Sequence, residues 1–235
     1  MKSVFATCAL LSLLLSGCGK QGSAPPPLAP KAYGAQIVEQ SGGKQATGVG
    51  ARLMDPVVVQ VNGADGNAMA GALVSFRGEG VSFVPSQALT DDSGQASTVA
   101  QVGTIPGSYM IVAETPKSGG GILSVNFREI ALGYQEKVGK QISDKHCMMC
   151  HDPESTPERV SNFDNLATPS PHLFSDGSIM NAMSDADLIK IIADGGPVLG
   201  KSPQTPAYRG TLTPIEIKAI VAYIRAIAEP RVSGR

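Results

Sequence analysis

The chain has 235 residues, 42% hydrophobic and 17% charged, with a formal net charge of -1. That length suits two modest domains better than one large core, the near-neutral charge leaves no basic stripe for a nucleic-acid backbone, and the apolar content excludes a disordered chain. The four cysteines fall at Cys8 and Cys18, then at Cys147 and Cys150, and the long Cys-free stretch between the pairs excludes a disulfide-stapled scaffold.

Lys2 supplies a positive start, and Val4 to Leu15 is an apolar run too short to span a bilayer, so the first segment reads as a secretory signal in which Cys8 is a small apolar filler. The run ends in Leu15-Ser16-Gly17-Cys18, which resembles the lipobox of bacterial lipoproteins. That resemblance implies removal of residues 1–17 and lipidation of Cys18. The alternative is an ordinary signal peptide with an incidental cysteine. Residues 18–32, with Pro25-Pro26-Pro27 and Pro30, then form a semi-extended tether. Gly19 after the cysteine resembles lipoproteins that move on to an outer membrane. The expected location is therefore the bacterial cell envelope, lipid-anchored, facing the periplasm or the cell surface.

Residues 33–132 carry the period-two patterning and short apolar runs of strands. Val57–Val61, Ala72–Phe76, Ala96–Ala100, Tyr109–Ala113 and Ile122–Phe127 are the strand candidates, separated by the turn pairs Asp65-Gly66, Ser93-Gly94 and Pro106-Gly107. Short strands with regular turn punctuation predict a β-sandwich. The run P-V-V-V-Q-V-N-G-A-D-G-N-A-M-A-G-A-L-V-S-F, with T-D-D-S-G-Q-A-S and G-S-Y-M-I-V-A-E-T, resembles the bacterial immunoglobulin-like repeats of the invasin and intimin type. The resemblance implies a spacer or docking module, or alternatively a surface adhesion module. Asp91 and Asp92 read as turn residues.

Residues 133–230 hold the chemistry. Cys147-Met148-Met149-Cys150-His151 is the C-x-x-C-H of covalent c-type haem attachment, although the bare motif also serves zinc binding or dithiol redox chemistry. Tyr134, Val138 and Ile142 recur every four residues around Gly139 and predict a helix before it. Ser184 with Asp187 forms one capping box, whose helix Gly195-Gly196-Pro197 ends, and Thr213-Pro214-Ile215-Glu216 forms a second. The second opens an apolar stripe of Ile217, Ile220, Val221, Ile224 and Ile227.

Together these features resemble the class I cytochrome c fold over roughly 95 residues. The expected architecture is therefore an all-β immunoglobulin-like sandwich followed by an all-α cytochrome c domain. The resemblance implies one covalent haem c on Cys147 and Cys150, His151 as the proximal ligand of its iron, and close packing of Tyr223 on Gly139. It implies that the Pro171 carbonyl accepts the His151 imidazole N–H and that Leu173 packs on the ring. The family's axial methionine position reads Thr205 here, within Ser202-Pro203-Gln204-Thr205-Pro206. The sixth ligand is therefore open, with His172, Met180, Met183 and Lys201 as candidates. Met148 and Met149 are confined to the attachment turn, and His146 is expected at the surface.

The expected activity is electron carriage between redox protein partners, without enzymatic catalysis. The alternatives are a five-coordinate haem that binds or senses a ligand, and a surface adhesion protein.

Overall fold

The computed structural model describes residues 28–151 and 171–230. The signal segment and Cys18 lie outside the described residues, as does most of the tether. Among the described residues, no helix is long and apolar enough to cross a membrane.

Nine strands build the first half: β1 Gln36–Ser41, β2 Ala46–Gly48, β3 Val57–Asn62, β4 Leu73–Arg77, β5 Ser82–Val84, β6 Gln87–Leu89, β7 Gln95–Gln101, β8 Gly107–Pro116 and β9 Ile122–Leu132. They form a four-stranded sheet in the order β1-β3-β7-β5 and a five-stranded sheet in the order β2-β9-β8-β4-β6. The alternation in β3 buries Val57, Val59 and Val61 against Phe76, Ile111 and Phe127, which makes the sandwich core. Gly66 (φ 79°) and Gly94 (φ 73°) take the left-handed conformations that their turns require. Asp91 Oδ1 accepts from the backbone N–H of Ser93 and of Gln95, both at 2.9 Å, as expected of a turn residue.

All five strand candidates are present, as β3, β4, β7, β8 and β9. The four strands not anticipated, β1, β2, β5 and β6, are the four sheet edges.

The second half is helical: α1 Tyr134–His146, α2 Met148–His151, α3 Gly177–Met180, α4 Asp185–Asp194 and α5 Pro214–Ile227. α1 starts two residues after β9 ends, with Gly133 as its N-cap. No linker separates the halves, and β9 serves both. Its pleat directs Phe127 and Ala131 into the sandwich core and Ile130 and Leu132 into the helical core, beside Ile217, Ile220 and Ile224 of α5. Arg128 ion-pairs with Glu229, just beyond α5, at 2.6 Å.

α5 begins with the predicted capping box: Glu216 N–H donates to Thr213 Oγ1 at 3.3 Å, and Thr213 N–H donates to Glu216 Oε2 at 2.7 Å. At α4 the reciprocal half differs from expectation. Ser184 Oγ accepts the Asp187 N–H, and the Asp187 carboxylate takes the Ser184 hydroxyl at 2.7 Å. Gly195 (φ 85°) ends α4, and a 3₁₀ turn spans Gly196–Leu199.

α1 and α5 cross at Gly139. A Cβ built there would lie 1.9 Å from the Ala219 carbonyl oxygen and 2.9 Å from Tyr223 Cβ, so the expected contact with Tyr223 is present and the tightest one is to backbone.

Candidate functional site

α1 delivers the cysteines. Its last turn runs through Ser143, whose carbonyl accepts the Cys147 N–H, and the Cys147 carbonyl then accepts from both Cys150 and His151 at 3.0 Å. One tight turn therefore carries two free thiols and an imidazole. Burial pushes the Cys147 thiol up to about 11. Dithiol redox motifs need a lowered thiol, so this environment is the reverse of what that chemistry requires. Zinc needs about four ligands, and among the described residues no group of three or more His, Cys, Asp or Glu side chains is placed to hold a metal ion.

His151 Nδ1–H donates to the His172 carbonyl at 2.7 Å. A carbonyl only accepts, so Nδ1 carries the proton and Nε2 keeps the lone pair. Burial is the main cause that lowers the affinity of His151 for a second proton, which favours the neutral, ligating form. The ring of Phe174 stacks on the imidazole at 4.4 Å with a 23° interplanar angle. One expectation is thereby corrected by one residue. The carbonyl is that of His172 and not of Pro171. Phe174 stacks on the imidazole, and Leu173 lines a cavity together with His151.

His151, Met148, Phe174 and Tyr223 line a cavity of about 610 Å³, together with Gln45 and Arg128 from the sandwich.

The candidates for a second axial ligand are dispersed. His172 is exposed, and its carbonyl sits behind the imidazole. Met180 is 5% exposed in the helical core, Met183 packs against that core, and Lys201 is exposed. The guanidinium of Arg225 fixes both methionine segments, donating to the Met180 carbonyl and to the Met183 carbonyl (2.6 Å) while pairing with Asp185 at 2.8 Å. Thr205 is half-buried; its N–H donates to Ser202 O at 3.2 Å and its carbonyl accepts from Gly196 at 3.2 Å.

Sequence reasoning missed Tyr208. Its hydroxyl donates to the His146 carbonyl at 2.9 Å and its ring meets His146 edge-on at 5.9 Å, which leaves His146 half-buried instead of at the surface. Phe174 and Arg225 were also missed. The signal for Arg225 was a cation inside the capped, apolar α5, where a partner is required. For Tyr208, no sequence signal was available, because its partner is a backbone carbonyl 62 residues away.

The donor set fits covalent haem: two free thiols in one turn and a neutral imidazole whose tautomer a carbonyl fixes. Comparison with known proteins agrees in kind. The Cytochrome c family model matches residues 137–228. No curated protein matches the chain. Among solved structures, the D00-D0 domain of Intimin is 21% identical over 44% of this chain and 50% of that one, with a TM-score of 0.32. The Yersinia pseudotuberculosis adhesin InvE is 12% identical over 43% of this chain and 32% of that one, with a TM-score of 0.29. The chain spans half the length of the Intimin fragment it matches.

Proposed function

With residues 137–228 forming a cytochrome c domain behind an all-β sandwich, we propose that this chain is an exported, lipid-anchored carrier of single electrons between redox proteins of a bacterial envelope, holding one haem c. The observation that carries this reading is the single turn that presents the Cys147 and Cys150 thiols beside His151, with Nδ1–H committed to the His172 carbonyl at 2.7 Å. A bound haem supplies the one-electron chemistry.

The protein supplies attachment, orientation and a dry surrounding. Cys147 and Cys150 would hold a haem macrocycle through thioether bonds, and His151 Nε2 would offer the lone pair for its iron. The hydrogen bond to His172 raises the basicity of that nitrogen and stops the ring from rotating, and Phe174 restrains it from one face. Because these groups are held by backbone hydrogen bonds, a change of one electron needs little rearrangement.

The sandwich serves as a spacer or docking module. The direct passage from β9 through Gly133 into α1, with no linker, favours a fixed orientation of the carrier domain over a flexible one. From Tyr134 onward, 11 Lys and Arg stand against 12 Asp and Glu, so no net field selects the partner. The full chain, made in a host with haem-attachment machinery, should titrate reversibly as a single one-electron wave. A haem that cannot be cycled between its two states contradicts the carrier role.

Anchoring is tested separately. Cys18→Ser should move the chain from the membrane fraction to the soluble fraction without altering its visible spectrum, because a single lipidated cysteine is the proposed attachment. Retention of the variant in washed membranes overturns the anchor.

A further inference from the structure

We infer that the face of the haem opposite His151 has no protein ligand, and that this chain binds a small diatomic gas there. The inference rests on the haem-attachment reading above. Side chains that ligate haem iron strongly are imidazole, thioether, thiolate and phenolate, with lysine amine as a further donor. The imidazole, thioether and phenol groups are placed away from the opposite face or committed elsewhere, and Lys201 is exposed to solvent.

His172 lies behind the imidazole, since its carbonyl accepts the Nδ1–H. His146, Met148 and Met149 belong to the attachment turn or the residue next to it, so they share the side of His151. Residues 152–170 contain no His, Met, Cys, Lys or Tyr. Tyr208 donates its hydroxyl to the His146 carbonyl, and a phenol engaged as a donor is not a phenolate. Met180 and Met183 sit on segments that Arg225 clasps by their carbonyls, with Met180 in the helical core.

The loop around Thr205 needs no bond to a metal to keep its shape. Gly196 donates to the Thr205 carbonyl, Tyr208 N–H donates to Ile192 O at 3.0 Å, and Arg209 Nε donates to Asp194 Oδ1 at 2.7 Å. The Tyr208 hydroxyl closes the loop onto the residue before the first thiol. A loop tied at both ends by protein hydrogen bonds keeps its shape without a bond to iron, and the hydroxyl of Thr205 offers no strong donor in place of a thioether.

The test is the spectrum of the haem-loaded full chain with carbon monoxide as the probe. The ferric protein should be high-spin, and the ferrous protein should bind carbon monoxide with a shifted Soret band. Thr205→Met should convert the ferric form to low-spin and weaken carbon monoxide binding by at least about tenfold, because a thioether then competes for the site. Thr205→Val should bind carbon monoxide as the wild type does, which excludes loop damage as the cause of the methionine effect. A wild-type protein that is low-spin in both states and silent to carbon monoxide overturns the inference, and so does one that gains carbon monoxide binding only in Met180→Ala or Met183→Ala. If the denatured chain carries no covalent haem, the attachment reading and this inference both fall; covalent haem with a silent spectrum overturns this inference alone.

Discussion

Gly139→Ala should destabilise the helical domain by about 3 kcal/mol, although alanine in place of glycine within a helix ordinarily stabilises by about 1 kcal/mol. The sign follows from what the new methyl meets. It would lie 1.9 Å from the Ala219 carbonyl oxygen and 2.5 Å from its carbon, and neither atom can rotate away, because both belong to the backbone of α5. α1 and α5 must therefore separate. That separation opens the contact on which the buried Ile220 and Ile224 depend, so the overpacking cost exceeds the gain in helix propensity. The check is urea denaturation followed by helical circular dichroism, where the variant's midpoint should fall while the strand signal of the sandwich persists longer. An unchanged or raised midpoint would show that α1 is not packed against α5 as described.

The second large effect is a pH dependence from the sandwich. Glu129 of β9 is fully buried; Oε2 accepts the Gln45 N–H at 2.7 Å, and Oε1 has no partner among the described residues. Burial pushes its carboxyl up from the ordinary 4.5 to about 7, the negative Glu39 adds to this, and the backbone N–H groups of Gln45 and Lys44 oppose it. A carboxyl raised in the folded state favours the protonated form there. Its contribution to stability is fully present below about pH 4.5 and is lost as pH rises through about 7. The loss amounts to about 3 kcal/mol for a shift of this size. Glu129→Gln keeps the shape and cannot ionise. The variant should match the wild type near pH 4.5 and exceed it by about 3 kcal/mol at pH 8, read from denaturation midpoints across that range. Parallel pH curves for the two proteins would place the ionised carboxylate in a solvated setting instead.

Much of this molecule was legible in the sequence, and the parts that were not share physical causes. The five strands that were read are interior strands, buried enough to force an apolar pattern. β1, β2, β5 and β6 are edges, with one neighbour each and short or polar runs such as Gln36–Ser41, so burial imposed no pattern on them. Glu129 breaks the alternation of β9 as a charged residue at a core position, and the backbone N–H groups of Gln45 and Lys44 partly offset its burial.

At the site, Cys147, Cys150 and His151 were legible because their chemistry requires fixed spacing within one turn. The one-residue shift from Pro171 to His172 was not, because which carbonyl reaches Nδ1 depends on the local path of the chain and not on residue type. Likewise the junction at β9 could not be read, since Ile130 and Leu132 look like ordinary strand residues until α5 is seen to cover them.

The central claim is that the turn at Cys147–His151 holds haem covalently, and the mass of the denatured full chain tests it most directly. Protein produced with haem-attachment machinery and stripped by acid and organic solvent should remain as a single species heavier than the polypeptide by one haem, whereas the variant carrying both Cys147→Ala and Cys150→Ala should run at the mass of the bare polypeptide. A wild-type chain that returns to the bare mass after the same treatment would contradict the account.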